Sequence, residues 1–179
     1  MASPMKMKNL DPRKRQRGKA HEVFRVADVP RLRWTAGKKF GGTYRRLGYF
    51  GRSKRVGVHI EEIPPGRWNS TFHWHTHEEE HFYILEGQAL MRIGKRRVAV
   101  RSGDYVVFPP DGHQAHALLN TGKRTLKYMV IGTRETGDVC VYPDSGKIAV
   151  SALKKVGRFT KTDYWDGEVV PERERRRKK

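Results

Sequence analysis

Between Gly66 and Gly87 the chain reads GRWNSTFHWHTHEEEHFYILEG, a concentration of imidazoles and carboxylates suited to holding a metal ion. Side chains alternate faces along a strand, so His73 and His75 point the same way, with Cα atoms about 6.6 Å apart. Two imidazoles at that separation can share one ion. Thr76 to Glu79 read as a connection, and Glu80 opens the returning strand with Phe82 and Ile84 on its own face. The pair His75 and His77 has the same parity, and Glu79 competes with Glu80, so alternation alone leaves this register open. A second segment, Gly103 to Asn120, reads GDYVVFPPDGHQAHALLN. A strand ends there at Pro109-Pro110-Asp111-Gly112, and a new one begins near Ala115 with His116, Leu118 and Asn120 on one face. If that face lines the same interior, His116 supplies a third imidazole. Three nitrogens, one carboxylate and no thiolate suit a borderline divalent ion such as Mn, Fe, Co, Ni or Zn. A structural zinc site is disfavoured because such sites are usually rich in cysteine.

The elements that must position these groups are short strands. From Val56 onward, runs rich in Val, Ile, Phe and Tyr are punctuated by Gly, Pro and Asn at intervals of roughly 8 to 12 residues, the pattern of an all-β sandwich or barrel. Strands are predicted over 55–63, 71–77, 80–85, 88–93, 97–100, 105–108, 115–119 and 125–133. Eight such strands suit a jelly roll. Further strands are expected over 139–142 and 147–153, on either side of a turn at Pro143-Asp144-Ser145-Gly146. Residues 1–20 carry dense charge and almost no large apolar side chain, so a disordered basic tail is expected there. Residues 21–55 read as an arm packing on the barrel, 56–135 as the barrel, 136–170 as a β extension and 171–179 as a second charged tail. No internal repeat and no helix of convincing length is evident.

These strings resemble the cupin superfamily. Its first motif, Gly, His-x-His, three or four residues, Glu, six residues, Gly, is met by His73-Trp74-His75, Glu80 and Gly87, with the leading Gly66 one residue further from the first His than usual. The six-residue gap to Gly87 favours Glu80 over Glu79. The second motif, Gly, five residues, Pro-x-Gly, two residues, His, three residues, Asn, is met by Gly103, Pro110, Gly112, His116 and Asn120, with one extra residue before Pro110 and another before His116. Both departures fall in turns, where insertions are best tolerated. The resemblance covers about residues 56–135; a weaker similarity to small single-domain cupins runs through YPDSGK and YWDGE. It implies a double-stranded β-helix barrel, usually dimeric, whose mouth holds a divalent metal on His73, His75, Glu80 and His116. With neutral imidazoles and one carboxylate such an ion keeps net positive charge and can accept an anionic oxygen of a small molecule. The superfamily hosts dioxygenases, isomerases, decarboxylases, storage proteins and sensors, and no general acid or base stands out. A non-catalytic sensing or regulatory cupin, its basic arm on nucleic acid or a protein partner, is the alternative.

The charge balance bears on partners. The chain holds 38 Lys/Arg against 19 Asp/Glu, a net charge of +19. Residues 1–55 contain 17 of those cations against Asp11, Glu22 and Asp28, so +14 of the excess lies there. Dense Lys/Arg can contact phosphates or an anionic surface. With no helix-turn-helix, RRM-type or zinc-finger pattern, a nucleic-acid partner is the less favoured reading. The lone Cys140 cannot form an internal disulfide, and no stretch approaches the ~20 apolar residues of a membrane span. The opening MASPMKMKNLDPRKRQRGK lacks a signal peptide's apolar core, so a cytoplasmic protein is expected. Trp68, Trp74, Phe82 and Tyr83 read as packing more readily than as a ligand pocket. His81 and His113 read as surface residues, and His59 and Glu61 share one strand face.

Overall fold

The computed structural model describes residues 18–168; the tails expected over 1–20 and 171–179 lie outside that range except for residues 18–20. Thirteen strands and one short helix follow in order: β1 (Arg31–Ala36), β2 (Phe40–Arg46), α1 (Leu47–Phe50), β3 (Val56–Ile63), β4 (Trp74–His75), β5 (Glu80–Glu86), β6 (Gln88–Ile93), β7 (Arg96–Arg101), β8 (Tyr105–Phe108), β9 (His116–Leu119), β10 (Leu126–Thr133), β11 (Val139–Tyr142), β12 (Lys147–Val150) and β13 (Lys155–Gly157). They form an antiparallel six-stranded sheet, β1-β2-β3-β10-β5-β8, a three-stranded sheet, β7-β6-β9, and a four-stranded sheet, β13-β12-β11-β4. The fold is all-β, as the strand pattern predicts, and the double-stranded β-helix that the resemblance implies.

The core follows from period-two alternation. Ile63 on β3, Leu126 and Tyr128 on β10 and Phe82 and Ile84 on β5 face Ala89 and Met91 on β6 and Leu118 on β9, all at most 2% exposed. Each large aliphatic side chain so buried contributes about 1.5–3 kcal/mol. Tyr128 is wholly buried, and its hydroxyl donates to Glu61 Oε2 at 2.6 Å, so burial strands no polar atom.

Two regions differ from the strand pattern read in the sequence. The segment 21–55 contributes β1, β2 and α1, with β2 pairing along β3 from Thr43↔Glu62 to Arg46↔His59. Its apolar residues are sparse because close backbone approach replaces side-chain packing: a Cβ at Gly42 would lie 2.5 Å from the Glu62 carbonyl oxygen. The predicted strand 71–77 is a ladder only at Trp74–His75, because it changes partners midway. His73 and His116 exchange backbone hydrogen bonds of 3.2 and 2.8 Å, whereas His75 pairs with Cys140 on β11. This crossing brings β4, β9 and β11 to one end of the barrel.

Candidate metal centre

Register places the acidic group first. On the inward face Gly57 of β3 pairs with Gly132 of β10, which pairs with Glu80 of β5. Two glycines beside Glu80 leave the mouth open; a Cβ on Gly132 would sit 3.6 Å from Glu80 Cγ. The Glu80 carboxylate thus projects to the same end as β4 and the start of β9.

Three imidazoles converge on it. His116 Nε2 lies 2.9 Å from Glu80 Oε2, His73 Nε2 3.6 Å and His75 Nε2 3.7 Å from the same oxygen. The His73 ring centroid is 5.1 Å from that of His75 and 4.8 Å from that of His116. His116 is only 1% exposed: Phe108 stacks on it at 3.8 Å and Phe82 packs edge-on at 5.5 Å. The four residues picked out by spacing therefore meet, whereas His77 turns aside, its Nδ1 2.7 Å from Thr76 Oγ1.

The opposite nitrogen of each ring meets an acceptor. His73 Nδ1 lies 2.7 Å from the Thr71 carbonyl oxygen, His75 Nδ1 2.7 Å from Asp138 Oδ2 and His116 Nδ1 3.3 Å from the Gln114 carbonyl oxygen. A neutral imidazole carries one N–H. Directing it from Nδ1 to these acceptors leaves three Nε2 lone pairs aimed at one carboxylate. Such a set is held together by positive charge among its members, either a metal ion or protons on Nε2 such as the one His116 can share with Glu80 Oε2 at 2.9 Å. His73, Glu80 and His116 each offer a ligand atom, all within 4.8 Å of one another, as metal–ligand bonds of about 2.0–2.2 Å require. These three therefore fit a divalent ion; His75, with Nε2 3.7 Å from Glu80 Oε2, borders them and groups instead with His73 and Cys140 and with Glu78 and Asp138.

With protons rather than an ion between the rings and the carboxylate, Glu80 is the partner of His116 and His73. Burial alone would raise the Glu80 carboxyl, but hydrogen bonds and charge from His116 and His73 outweigh it and hold that group far below the ordinary carboxylate range. Burial disfavours protonation of His73, yet Glu80 more than offsets it and the ring's pKa is raised; at His116 burial prevails and the pKa is lowered.

Three neighbours carried no signal in the sequence. Asp138 is 1% exposed; besides His75 its Oδ1 accepts from the amides of His77 at 3.0 Å and Glu78 at 3.3 Å. Burial would raise its carboxyl, but His75 and those amides outweigh it, so it stays ionised. Cys140 joins His73 and His75 in a second group of potential donors. Burial pushes its thiol up to about 12, so the sulfur lies beside the imidazoles as a neutral group. Tyr142 stacks on His73 at 6.0 Å. Trp74, Glu78, Phe108, Pro109 and Gln114 line a recess of about 10 Å³ beside the ligands, room for one water-sized group. Burial raises the Glu78 carboxyl there.

The remaining candidates lie elsewhere. His81 faces outward, bonded to Glu79 and Tyr105, and His113 packs 4.5 Å from Trp74. Trp68 pairs with Phe40 and Leu119 away from the mouth, and Tyr83 is 42% exposed on the outer face.

Comparison with known proteins accords with this geometry. The Cupin domain family matches residues 59–132. An uncharacterized protein of Methanocaldococcus jannaschii is 35% identical over 69 residues, 38% of this chain and 54% of that protein, so the match spans about half of the relative's length. A putative sugar phosphate isomerase from Acidithiobacillus ferrooxidans superposes with a TM-score of 0.62 at 28% identity, covering 68% of this chain and 82% of that one. A sugar phosphate isomerase from a cupin superfamily, from Silicibacter pomeroyi, gives 0.69 at 20% identity over 76% and 92% of the two chains. A predicted oxalate decarboxylase from Thermotoga maritima gives 0.56 at 22% identity over 64% and 100%; these last two likenesses concern the fold alone. The paired motifs thus converge at one barrel mouth within residues 59–132, the stretch that matches the Cupin domain family.

Proposed function

We propose that this cupin holds one divalent metal ion on His73, His75, Glu80 and His116 and there binds or transforms a small, oxygen-rich, anionic molecule. The observation that carries the reading is the common orientation of three imidazoles, each with Nδ1 tied to an acceptor and Nε2 turned toward Glu80. When bound, the ion would act as a Lewis acid toward a substrate oxygen. The chain's own part is to orient the rings through Thr71, Asp138 and Gln114 and to exclude water with Phe82 and Phe108. The small recess favours a substrate that seats at the rim with one oxygen reaching inward. Similarity to a putative sugar phosphate isomerase at 28% identity supports a phosphorylated or carboxylated polyol over an apolar ligand.

Two settings accompany this reading. The outer faces of β5 and β8 expose Tyr83 by 42%, Tyr105 by 59% and Val107 by 41%, which favours pairing with a second copy into a homodimer. A single buried thiol favours a reducing, cytoplasmic environment. No helix among the described residues is long and apolar enough to cross a membrane. Elemental analysis tests the central claim: purified protein should carry near one equivalent of Mn, Fe, Co, Ni or Zn, and His75→Ala or His116→Ala should abolish retention. Metal content unchanged in both variants defeats the assignment.

A further inference from the structure

We propose that the end of the barrel opposite the metal centre is a sequence-independent binding site for a nucleic-acid backbone, formed by Arg33, Arg67, Lys123 and Arg124. Two recesses of about 830 and 770 Å³ adjoin there and share Thr125. Arg31, Arg33 and Arg67 line the first together with Glu62; Lys123 and Arg124 line the second together with Glu86. Both carboxylates are already engaged. Glu62 accepts from Arg31 and from Thr43, and Glu86 pairs with Lys127 at 3.0 Å. Arg67 bonds only neutral oxygens, the Phe40 carbonyl at 3.0 Å and Thr35 Oγ1 at 3.2 Å. Four cations therefore face one groove without a carboxylate partner among the described residues.

The groove is built rather than fortuitous. Asn120 is fully buried, and its Nδ2 donates to the carbonyls of Ile63 at 2.7 Å and Arg124 at 2.9 Å while its Oδ1 accepts from the Gly122 amide at 2.9 Å. Its backbone bonds Gly66 and Arg67 as well. One side chain thus ties the loop carrying Lys123 and Arg124 to the turn carrying Arg67. Cations held together before binding cost less to order on a polyanion.

The lining identifies the partner. Neither recess is lined by an aromatic ring, so bases have no stacking platform and phosphates are the natural contacts. A concave groove fits a strand or duplex edge better than the plane of a membrane. Six residue steps along β10 take Leu126 to Gly132 beside Glu80, about 20 Å at ~3.3 Å per residue, so the groove and the metal centre do not compete.

Fluorescence anisotropy of the full chain with two labelled 20-bp duplexes of unrelated sequence tests this between 50 and 200 mM salt. Both duplexes should bind with affinities within about threefold. The exposed triple R33Q/K123Q/R124Q should weaken binding at least tenfold and lower the slope of log K against log salt by roughly 2.7, at ~0.9 per phosphate contact. The charge-matched triple K95Q/R96Q/R97Q, in the β6–β7 hairpin at the metal end, should change affinity less than threefold. Equal losses in the two triples, absent binding at 50 mM salt, strong preference for one duplex, or capture by phosphatidylserine vesicles without duplex binding would each overturn the proposal. Metal retention is unaffected by any of these results, so the groove and the metal centre stand or fall separately.

Discussion

The single carboxylate Asp138 illustrates how one residue can decide the chemistry of another. A carboxylate has two acceptor oxygens: Oδ2 faces His75 Nδ1, and Oδ1 faces the amides of His77 and Glu78. An asparagine has one acceptor and one donor, so Asp138→Asn must turn an N–H toward either the amides or the imidazole. Keeping the amides satisfied sets that N–H against Nδ1, which drives His75 to the Nε2–H tautomer and points a proton where a metal lone pair is needed. We expect Asp138→Asn to weaken metal affinity about 10- to 100-fold. Chelator competition measures the affinity, and ¹⁵N imidazole shifts report the tautomer. An Nδ1–H signal retained at His75 together with wild-type affinity would refute the positioning role.

At the level of elements, the β11–β12 hairpin supplies both Asp138 and Tyr142, so its seating on the barrel matters. Arg92 on β6 clamps its turn through both oxygens of Asp144, at 2.6 and 2.9 Å, while its guanidinium lies 3.5 Å from the Phe72 ring. The Arg92 pair lowers the Asp144 carboxyl below its ordinary value. A depressed carboxylate stabilises the fold above its unfolded pKa of about 3.9, and that contribution is lost as pH falls through the folded value. Asp144 is 55% exposed, so solvent screening limits the pair to ~0.2–1 kcal/mol. Urea denaturation of Asp144→Asn should show that loss at pH 7 and a progressively smaller one as pH falls below about 3.9, while the stacked Arg92 stays in place. A deficit that does not shrink at all as pH falls below about 3.9 would assign the effect to something other than the ion pair.

For the whole molecule, the outward faces of β5 and β8 bear on assembly. β8 is an edge strand of the six-stranded sheet, and beside it Tyr83, Tyr105 and Val107 present an apolar strip. A two-fold pairing would match that strip against itself. Sedimentation equilibrium should return twice the chain mass of 20.8 kDa, and Tyr105→Glu, which sets a charge in the middle of the strip, should yield monomer. A wild-type monomer would end the homodimer reading without touching the proposed metal centre, whose candidate ligands all come from one chain.

The residue pattern by itself determined which side chains could be ligands. Parity along a strand is a local property, so HWH or its neighbour pair His75 and His77, a returning Glu79 or Glu80, and His116 with Leu118 were legible as candidates wherever the sheet would place them, and the six-residue gap to Gly87 in the cupin-like motif favoured Glu80. The same periodicity marked most of the barrel strands within a residue or two. It could not show that 71–77 changes partners at His73, because pairing depends on β9 and β11, or that 31–46 forms a hairpin, because glycine contacts there replace the apolar pattern. Asp138 lies 63 positions from His75, in a stretch with no motif around it. Only the folded sheet could bring them together. The groove cations likewise come from β1, a turn and a distant loop, and their lack of carboxylate partners exists only in three dimensions. Alternation encodes which face a side chain takes; proximity between faces is decided by how the strands are ordered, and that order is a property of the closed barrel.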